Sequence, residues 1–220
     1  AILVQDAADP HSRHDFGHDV LPRVVAEGLL GVHLFDASCV RGHGVPAYWR
    51  DVGSLDSYWR AHQDLTGPAP ALDLFDPSWP IPTRPRSGLP THLLAGPLRA
   101  TAISSSLLGD GCRIDAASVH GSVLSSGVCI GSGSCVDGSV LLPGAVLGRQ
   151  VQLRRVIVDE GCSLPDGLRI GFDAAADRTH FHVTASGITL VTADMLGALA
   201  RRAPLRSART AAAAAQPMRA

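Results

Sequence analysis

The sequence has no surplus of charge of either sign: 19 basic side chains stand against 20 acidic ones, a formal net charge of −1. Without a basic stripe there is no electrostatic footprint for nucleic acid or an anionic membrane surface. No apolar run approaches the length of a membrane span, and the first residues lack the basic-then-apolar layout of a signal peptide. Cysteine is sparse as well. The five cysteines are an odd number with no CxxC pair, which argues against a disulfide framework or a zinc site. The expectation is five small buried or half-buried thiols in a cytoplasmic protein. A chain of 220 residues allows one large domain or two small ones. It opens AILVQDAADP, with no methionine and no complete first element, so the expectation is that it was processed or is a piece of something longer.

What is present is a six-residue rhythm. Leu124, Ile130, Val136 and Leu142 fall six apart, and Val128, Val140 and Val146 keep the same step, with Ser134 in the gap. A helix has no period of six and a lone strand alternates every two residues. A chain that turns a corner after each short strand, three strands to a coil, meets both constraints. That is the hexapeptide parallel β-helix. Twelve of the 23 glycines lie in residues 101–171, as corners with positive φ require. Between Ala116 and Gly148 the one charged residue is Asp137, so most of this segment is expected to face neighbouring coils. At roughly 18 residues per coil and about 4.8 Å between strands it makes about four coils. Cys129 and Cys135, one step apart, belong on adjacent walls.

Before the coils, residues 11–28 read as a loop feeding a short helix, with Asp19 as cap, Pro22 in the first turn and Gly28 at the C-terminal cap. GVHLFD (31–36) and VPAYWRDVG (45–53) read as strands around a turn at RGHG (41–44). Ser54 starts a helix with Leu55, Tyr58, Trp59, His62 and Leu65 at helical spacing. Residues 1–65 are therefore expected to form the end of an α/β unit. Residues 66–97 hold eight of the 15 prolines and read as an extended connector, pinned by Leu74, Phe75 and Trp79. The β-helix with its terminal strands is expected over 98–196, including a strand pair around Ser186–Gly187 and a short helix. The arginine- and alanine-rich stretch 197–220 is expected to be disordered or loosely helical.

The sharpest chemical feature is Tyr48-Trp49-Arg50-Asp51-Val52-Gly53. A carboxylate at the end of a strand in an α/β sheet is well placed to meet a ligand or metal. The plainer role for Asp51 is a cap, or a partner of Arg50.

HDFGHDVLP (14–22), YWRDVGSLDSYW (48–59), SWPI (78–81) and VLLPGAVLGRQVQLRRVIVDEGCSLPDGLRIG (140–171) together resemble bacterial glucose-1-phosphate adenylyltransferase. The likeness runs in order from about Asp9 to Leu196. It implies a mixed fold: the C-terminal part of an α/β nucleotidyltransferase domain followed by a left-handed parallel β-helix. It also implies that ATP and glucose 1-phosphate give ADP-glucose and pyrophosphate for glycogen biosynthesis, with Mg2+ screening the departing phosphates. Catalysis of that kind is mostly the positioning of two anions and a metal, and magnesium favours carboxylate oxygens. By the motif, Asp51 resembles one metal-binding aspartate and Asp15 of HDFG a contact to glucose 1-phosphate.

The family's glycine-rich phosphate-binding loop, its first metal aspartate and its sugar-phosphate lysine have no counterpart in these residues. The chain alone is therefore expected not to make ADP-glucose. Enteric-type, sugar-bisphosphate-activated members carry arginines near the positions of Glu160, Ala193 and Gly197, where this chain has none. That implies a different or weakly bound activator, with Arg154 and Arg155 left as basic candidates for an effector. A homo-oligomer, by analogy a tetramer, is expected to cover the prism's flat walls and open ends.

Two other readings stay open. The parent protein could be a regulatory or structural oligomerisation subunit, although Asp51 and Asp15 are both kept. His120 in the coils admits a hexapeptide acyltransferase, in which a histidine deprotonates the acceptor; the upstream HDFG and YWRDVG strings speak against it. His180 and His182 are expected on one face of a strand as surface residues, and Trp49, Trp59 and Trp79 as packing anchors.

Overall fold

The computed structural model describes residues 2–35, 48–77, 80–81, 88–96 and 100–202. The chain divides into two compact units, 1–47 and 48–220.

The second unit is a parallel β-helix of three sheets. Its first wall stacks β1 (His92–Leu94), β4 (Arg113–Asp115), β7 (Cys129–Ile130), β10 (Val146–Leu147) and β13 (Ser163–Leu164). The second stacks β2 (Ala102–Ser104), β5 (Ser118–His120), β8 (Cys135–Asp137), β11 (Gln152–Arg154) and β14 (Arg169–Ile170). The third stacks β3 (Leu107–Leu108), β6 (Val123–Leu124), β9 (Val140–Leu141), β12 (Val156–Val158) and β16 (Thr189–Val191), with β15 (His182–Val183) antiparallel at its edge. Cys129 and Cys135 do lie on adjacent walls. The strand pair around Gly187 is also present, the glycine at φ 82°.

The coil is one residue tighter than expected. Cys129 sits opposite Val146 and Val146 opposite Ser163, a repeat of 17 rather than 18. The missing residue is at the corner between the second and third walls. There Gly121, Gly138 and Arg155 stack one above another at φ 53°, 52° and 55°, and the chain turns in a single left-handed step. The inward row therefore slips at that corner: Leu124, Ile130 and Val136 are followed by Leu141, Leu147 and Leu153, all buried. Leu142, expected in the row, lies outside the prism, packed with Val140 and Ile157. Val146, also expected inside, is 41% exposed.

The tight corner brings backbone N–H groups indoors, where each needs an acceptor. Serines supply it. Ser106 Oγ accepts from Ser122 N–H (3.1 Å) and donates to the Ser104 carbonyl (2.8 Å). Ser122 repeats the pattern with Ser139 N–H and the His120 carbonyl, and Ser139 with Val156 N–H and the Asp137 carbonyl. Ser122 and Ser139 are fully buried, so these hydroxyls form a polar ladder inside an otherwise aliphatic prism.

The boundaries differ from the expected ones in three places. β1 lies inside the stretch read as a proline-rich connector, because His92 N–H pairs with the Cys112 carbonyl at 2.8 Å and starts the first coil. Leu74 and Phe75, expected to pin the connector, are exposed, and Trp79 lies outside the described residues. At the far end a helix, Ala193–Arg202, crosses the expected start of the tail at 197. It lays Met195, Leu196 and Leu199 on the last coil of the core. Residues 203–220 lie outside those described.

In the first unit, α1 (Ile2–Ala8) precedes a π-helical turn (Phe16–Val20) that runs directly into α2 (Leu21–Ala26). Pro22 and Gly28 play their expected parts, the glycine at φ 67°. The cap is Asp15, not Asp19: its carboxylate accepts from His18 N–H at 2.7 Å. The strand expected at 31–36 is absent over 31–34, and so is the strand expected at 45–53 over 48–52. Neither has a strand alongside to complete its hydrogen bonds among the described residues. Leu3, Val4, Val25, Val32 and Leu34 are all more than half exposed.

Candidate functional site

Asp51 sits in an irregular segment, three residues before the cap of α3 (Leu55–Gln63). Its Oδ1 accepts from Gly53 N–H at 3.1 Å, and the side chain is exposed. Among the described residues its other oxygen meets no donor. Arg50, the plainer partner in sequence, turns away: its Nε donates to Asp64 Oδ2 at 2.6 Å, and Tyr48 Oη donates to the same oxygen at 3.2 Å. Asp51 is thus a local Asx turn with one face open to solvent. As a metal ligand it would supply one hard oxygen, and no group of three or more metal-binding side chains occurs among the described residues.

Three residues beyond Asp51 the cap of α3 begins. Ser54 and Ser57 cap α3 reciprocally: Ser57 N–H donates to Ser54 Oγ, and Ser54 N–H to Ser57 Oγ. That is a capping box with serine in place of glutamate. One face of α3 lays Leu55, Tyr58 and Trp59 on Val140, Ile157 and Ile188 of the third wall. Trp59 Nε1 donates to the Gly138 carbonyl at 2.7 Å. Asp56 Oδ1 accepts hydroxyl hydrogen bonds from Thr184 (2.8 Å) and from Ser186. These hydroxyls, Ser186 first, hold its carboxyl below the usual carboxylate range. A groove of about 420 Å3 between the start of α3 and this wall is lined by Val52, Gly53, Tyr58, Leu142, Ile157 and Leu190, among others.

The basic candidates are both engaged. Arg155 stacks its guanidinium 5.0 Å from the Trp59 ring and donates to the Ser186 carbonyl at 3.1 Å. Arg154, on the second wall, lies 3.5 Å from Asp137 and 4.8 Å from the Phe172 ring. Asp15 stands in the other unit, and its carboxylate serves its own turn. It accepts from His18 N–H and contacts His18 Nδ1 at 2.9 Å, which holds it below the usual carboxylate range.

The remaining candidates are placed as follows. His120 is exposed, with Nδ1 2.9 Å from Ser104 Oγ. His182 opens β15 while His180 lies in the turn before it, so they do not share a strand; both are exposed. Cys112 and Cys162 are buried and Cys129 is half-buried, but Cys135 is exposed, because it stands on the outer face of β8. All four are free thiols, and burial raises Cys112 and Cys162 above the usual thiol range. Cys39 lies outside the described residues. No helix among the described residues is long and apolar enough to cross a membrane.

Sequence reasoning missed Asp56 and the partners of Arg155. The six-residue rhythm does not show the 17-residue coil that sets Arg155 over Gly138 at this corner, nor the approach of Thr184 and Ser186 to Asp56.

Comparison with known proteins places both units in a class. Residues 1–67 match the "Nucleotidyl transferase" family model, and residues 93–191 match "GlmU-like, C-terminal hexapeptide". The hexapeptide match falls on the β-helix described above, and residues 1–67 are similar to part of a nucleotidyl transferase. Within that class its relatives are glucose-1-phosphate adenylyltransferases. It is 47% identical over 90% of its length to the one from Albidiferax ferrireducens, 44% over 89% to that of Jannaschia sp., and 40% over 89% to that of Pasteurella multocida. It covers 48%, 47% and 45% of those proteins, so the chain spans about half the length of the curated relatives it matches.

Proposed function

We propose that this chain works as the C-terminal half of a glucose-1-phosphate adenylyltransferase, forming ADP-glucose and pyrophosphate from ATP and glucose 1-phosphate. The carrying observation is likeness to enzymes of that name along nine-tenths of the chain. Asp51 fits the part of one magnesium ligand: a carboxylate with an uncommitted oxygen, steadied by the Gly53 amide. The magnesium, when bound, would screen the phosphate charge, and the other ligands would come from outside the described residues. Asp15 is assigned to the hydroxyls of the sugar phosphate.

All 19 basic residues are arginines, so a lysine contact to the sugar phosphate would come from outside these 220 residues. The exposed apolar side chains of residues 2–35 offer a surface for the rest of a nucleotidyl transferase domain to cover. A cytoplasmic homo-oligomer, a tetramer, extends the same reading, with the uncovered walls of the prism as contact surfaces. Any activator differs from a sugar bisphosphate or binds weakly, since Glu160, Ala193 and Gly197 stand where sugar-bisphosphate-activated members carry arginines; Arg154 and Arg155 remain the basic candidates for an effector.

The test is an ADP-glucose assay with ATP, glucose 1-phosphate and Mg2+, run on the chain alone and joined behind the N-terminal half of the Albidiferax ferrireducens enzyme. The chain alone should be silent and the joined protein active. Turnover by the chain alone, or a well-folded joined protein making no ADP-glucose, overturns the reading.

A further inference from the structure

Arg155 sits in the left-handed region at φ 55°, where a side chain is strained and is kept only if its surroundings demand it. The corner positions before it along the stack hold Gly138, Gly121 and Ser105, the serine also at positive φ (47°). An ideal Cβ on Gly138 would lie 3.8 Å from the Trp59 ring and 3.9 Å from Arg155 Cγ. The indole therefore rests on the glycine corner, with the guanidinium 5.0 Å from its ring. Arg155 also grips the Ser186 carbonyl, and the Ser186 hydroxyl donates to Asp56, the second residue of α3. The circuit Trp59–Arg155–Ser186–Asp56 closes on one helix from both sides.

Asp51 lies three residues before that helix's cap, Ser54, with Oδ1 held by the Gly53 amide. Five residues separate Asp51 from Asp56, and both belong to the compact unit that contains the β-helix rather than to residues 1–47. We infer that Arg155 and Asp56 are positioning residues for Asp51: the coil corner holds α3, and α3 holds the carboxylate. The assignment of Arg155 rests on the reading of Asp51 as a metal ligand. It makes the β-helix a working part of the metal site, with the strained corner as the point of attachment.

Arg155→Gly separates positioning from mere structure, because glycine relieves the corner as it does at positions 121 and 138 and leaves the coil intact. In this 220-residue chain, amide exchange of the α3 residues should quicken about tenfold in Arg155→Gly and in Asp56→Ala, through local opening alone. The Val136 and Leu153 amides should be unmoved. Asp56→Asn keeps an acceptor oxygen and should restore slow exchange. In an active full-length adenylyltransferase carrying the chain, Arg155→Gly should raise the Mg2+ concentration for half-maximal velocity while KM for glucose 1-phosphate stays constant. Unchanged α3 exchange, or a loosened α3 with an unmoved Mg2+ midpoint, overturns the inference. If Asp51→Asn leaves the Mg2+ dependence untouched, the metal reading fails by itself, and the exchange result still reports on the clasp.

Discussion

The indole N–H of Trp59 donates to the carbonyl of Gly138 at 2.7 Å, across 79 positions of sequence. This bond joins the helix that follows Asp51 to a corner of the β-helix, and it makes the coil stack more than a spacer. Trp59→Phe keeps the ring and loses the donor. The expected effect is about 1 kcal/mol, the net worth of one hydrogen bond. It should appear as faster exchange of α3 amides with no change in the coil strands.

The serine ladder predicts a cost out of proportion to its size. Ser139→Ala leaves the buried Val156 N–H without its acceptor, while the Asp137 carbonyl keeps the Arg155 N–H. Stranding buried polar groups costs about 1–3 kcal/mol, or several degrees of Tm for a chain of this size. Thermal unfolding checks it. Ser104→Ala, exposed on the outer wall, should shift Tm far less.

Gly171 should tolerate no side chain. It sits at φ 88°, and an added Cβ would lie 1.8 Å from the Arg154 carbonyl oxygen. Its amide donates to the buried Asp177 carboxylate at 2.8 Å. Gly171→Ala should unpair β14 from β11, seen as loss of amide protection at Ile170, with the preceding coils still protected.

The pH dependence follows from two carboxylates of opposite sign. Asp56 is held below the usual range, by Ser186 first and Thr184 next. A lowered folded pKa contributes stability above the unfolded value and loses it as pH falls through the folded one. Asp177 is raised, chiefly by burial, so its contribution weakens as pH rises from the usual carboxylate value through its folded one. Acidification should therefore protonate Asp177 first, without loss of stability, and release α3 only afterwards. The Trp59 indole N–H resonance should hold steady on initial acidification and shift when Asp56 titrates. Asp56→Asn should remove that late shift.

The prism was legible because aliphatic residues every six positions admit few other folds, and the sugar-nucleotide motif strings were long enough to be specific. The length of the coil was not legible. A six-residue rule cannot see that Gly138 and Ser139 turn a corner with one residue fewer, which sends Leu142 outside and Leu141 in. The strand expected at 45–53 failed over 48–52 for a related reason. Apolar runs around Tyr48 and Trp49 are strand-like, but a strand exists only with a neighbour to pair with, and here α3 draws the segment toward the β-helix. Asp51 could be read from its motif, whereas Asp56 could not, because its partners Thr184 and Ser186 lie about 130 residues away. Arg155 could be read as a basic candidate from the sequence, but its contacts with the Trp59 ring and the Ser186 carbonyl are visible only in the fold.

The most direct test is a Mg2+ titration of ADP-glucose synthesis by a full-length adenylyltransferase carrying this chain, with and without Asp51→Asn. Loss of one metal carboxylate should lower velocity at least about a hundredfold, since charge stabilisation by a bound metal is worth several kcal/mol, and excess Mg2+ should recover part of it. An Asp51→Asn enzyme with unaltered velocity and Mg2+ midpoint would contradict the account.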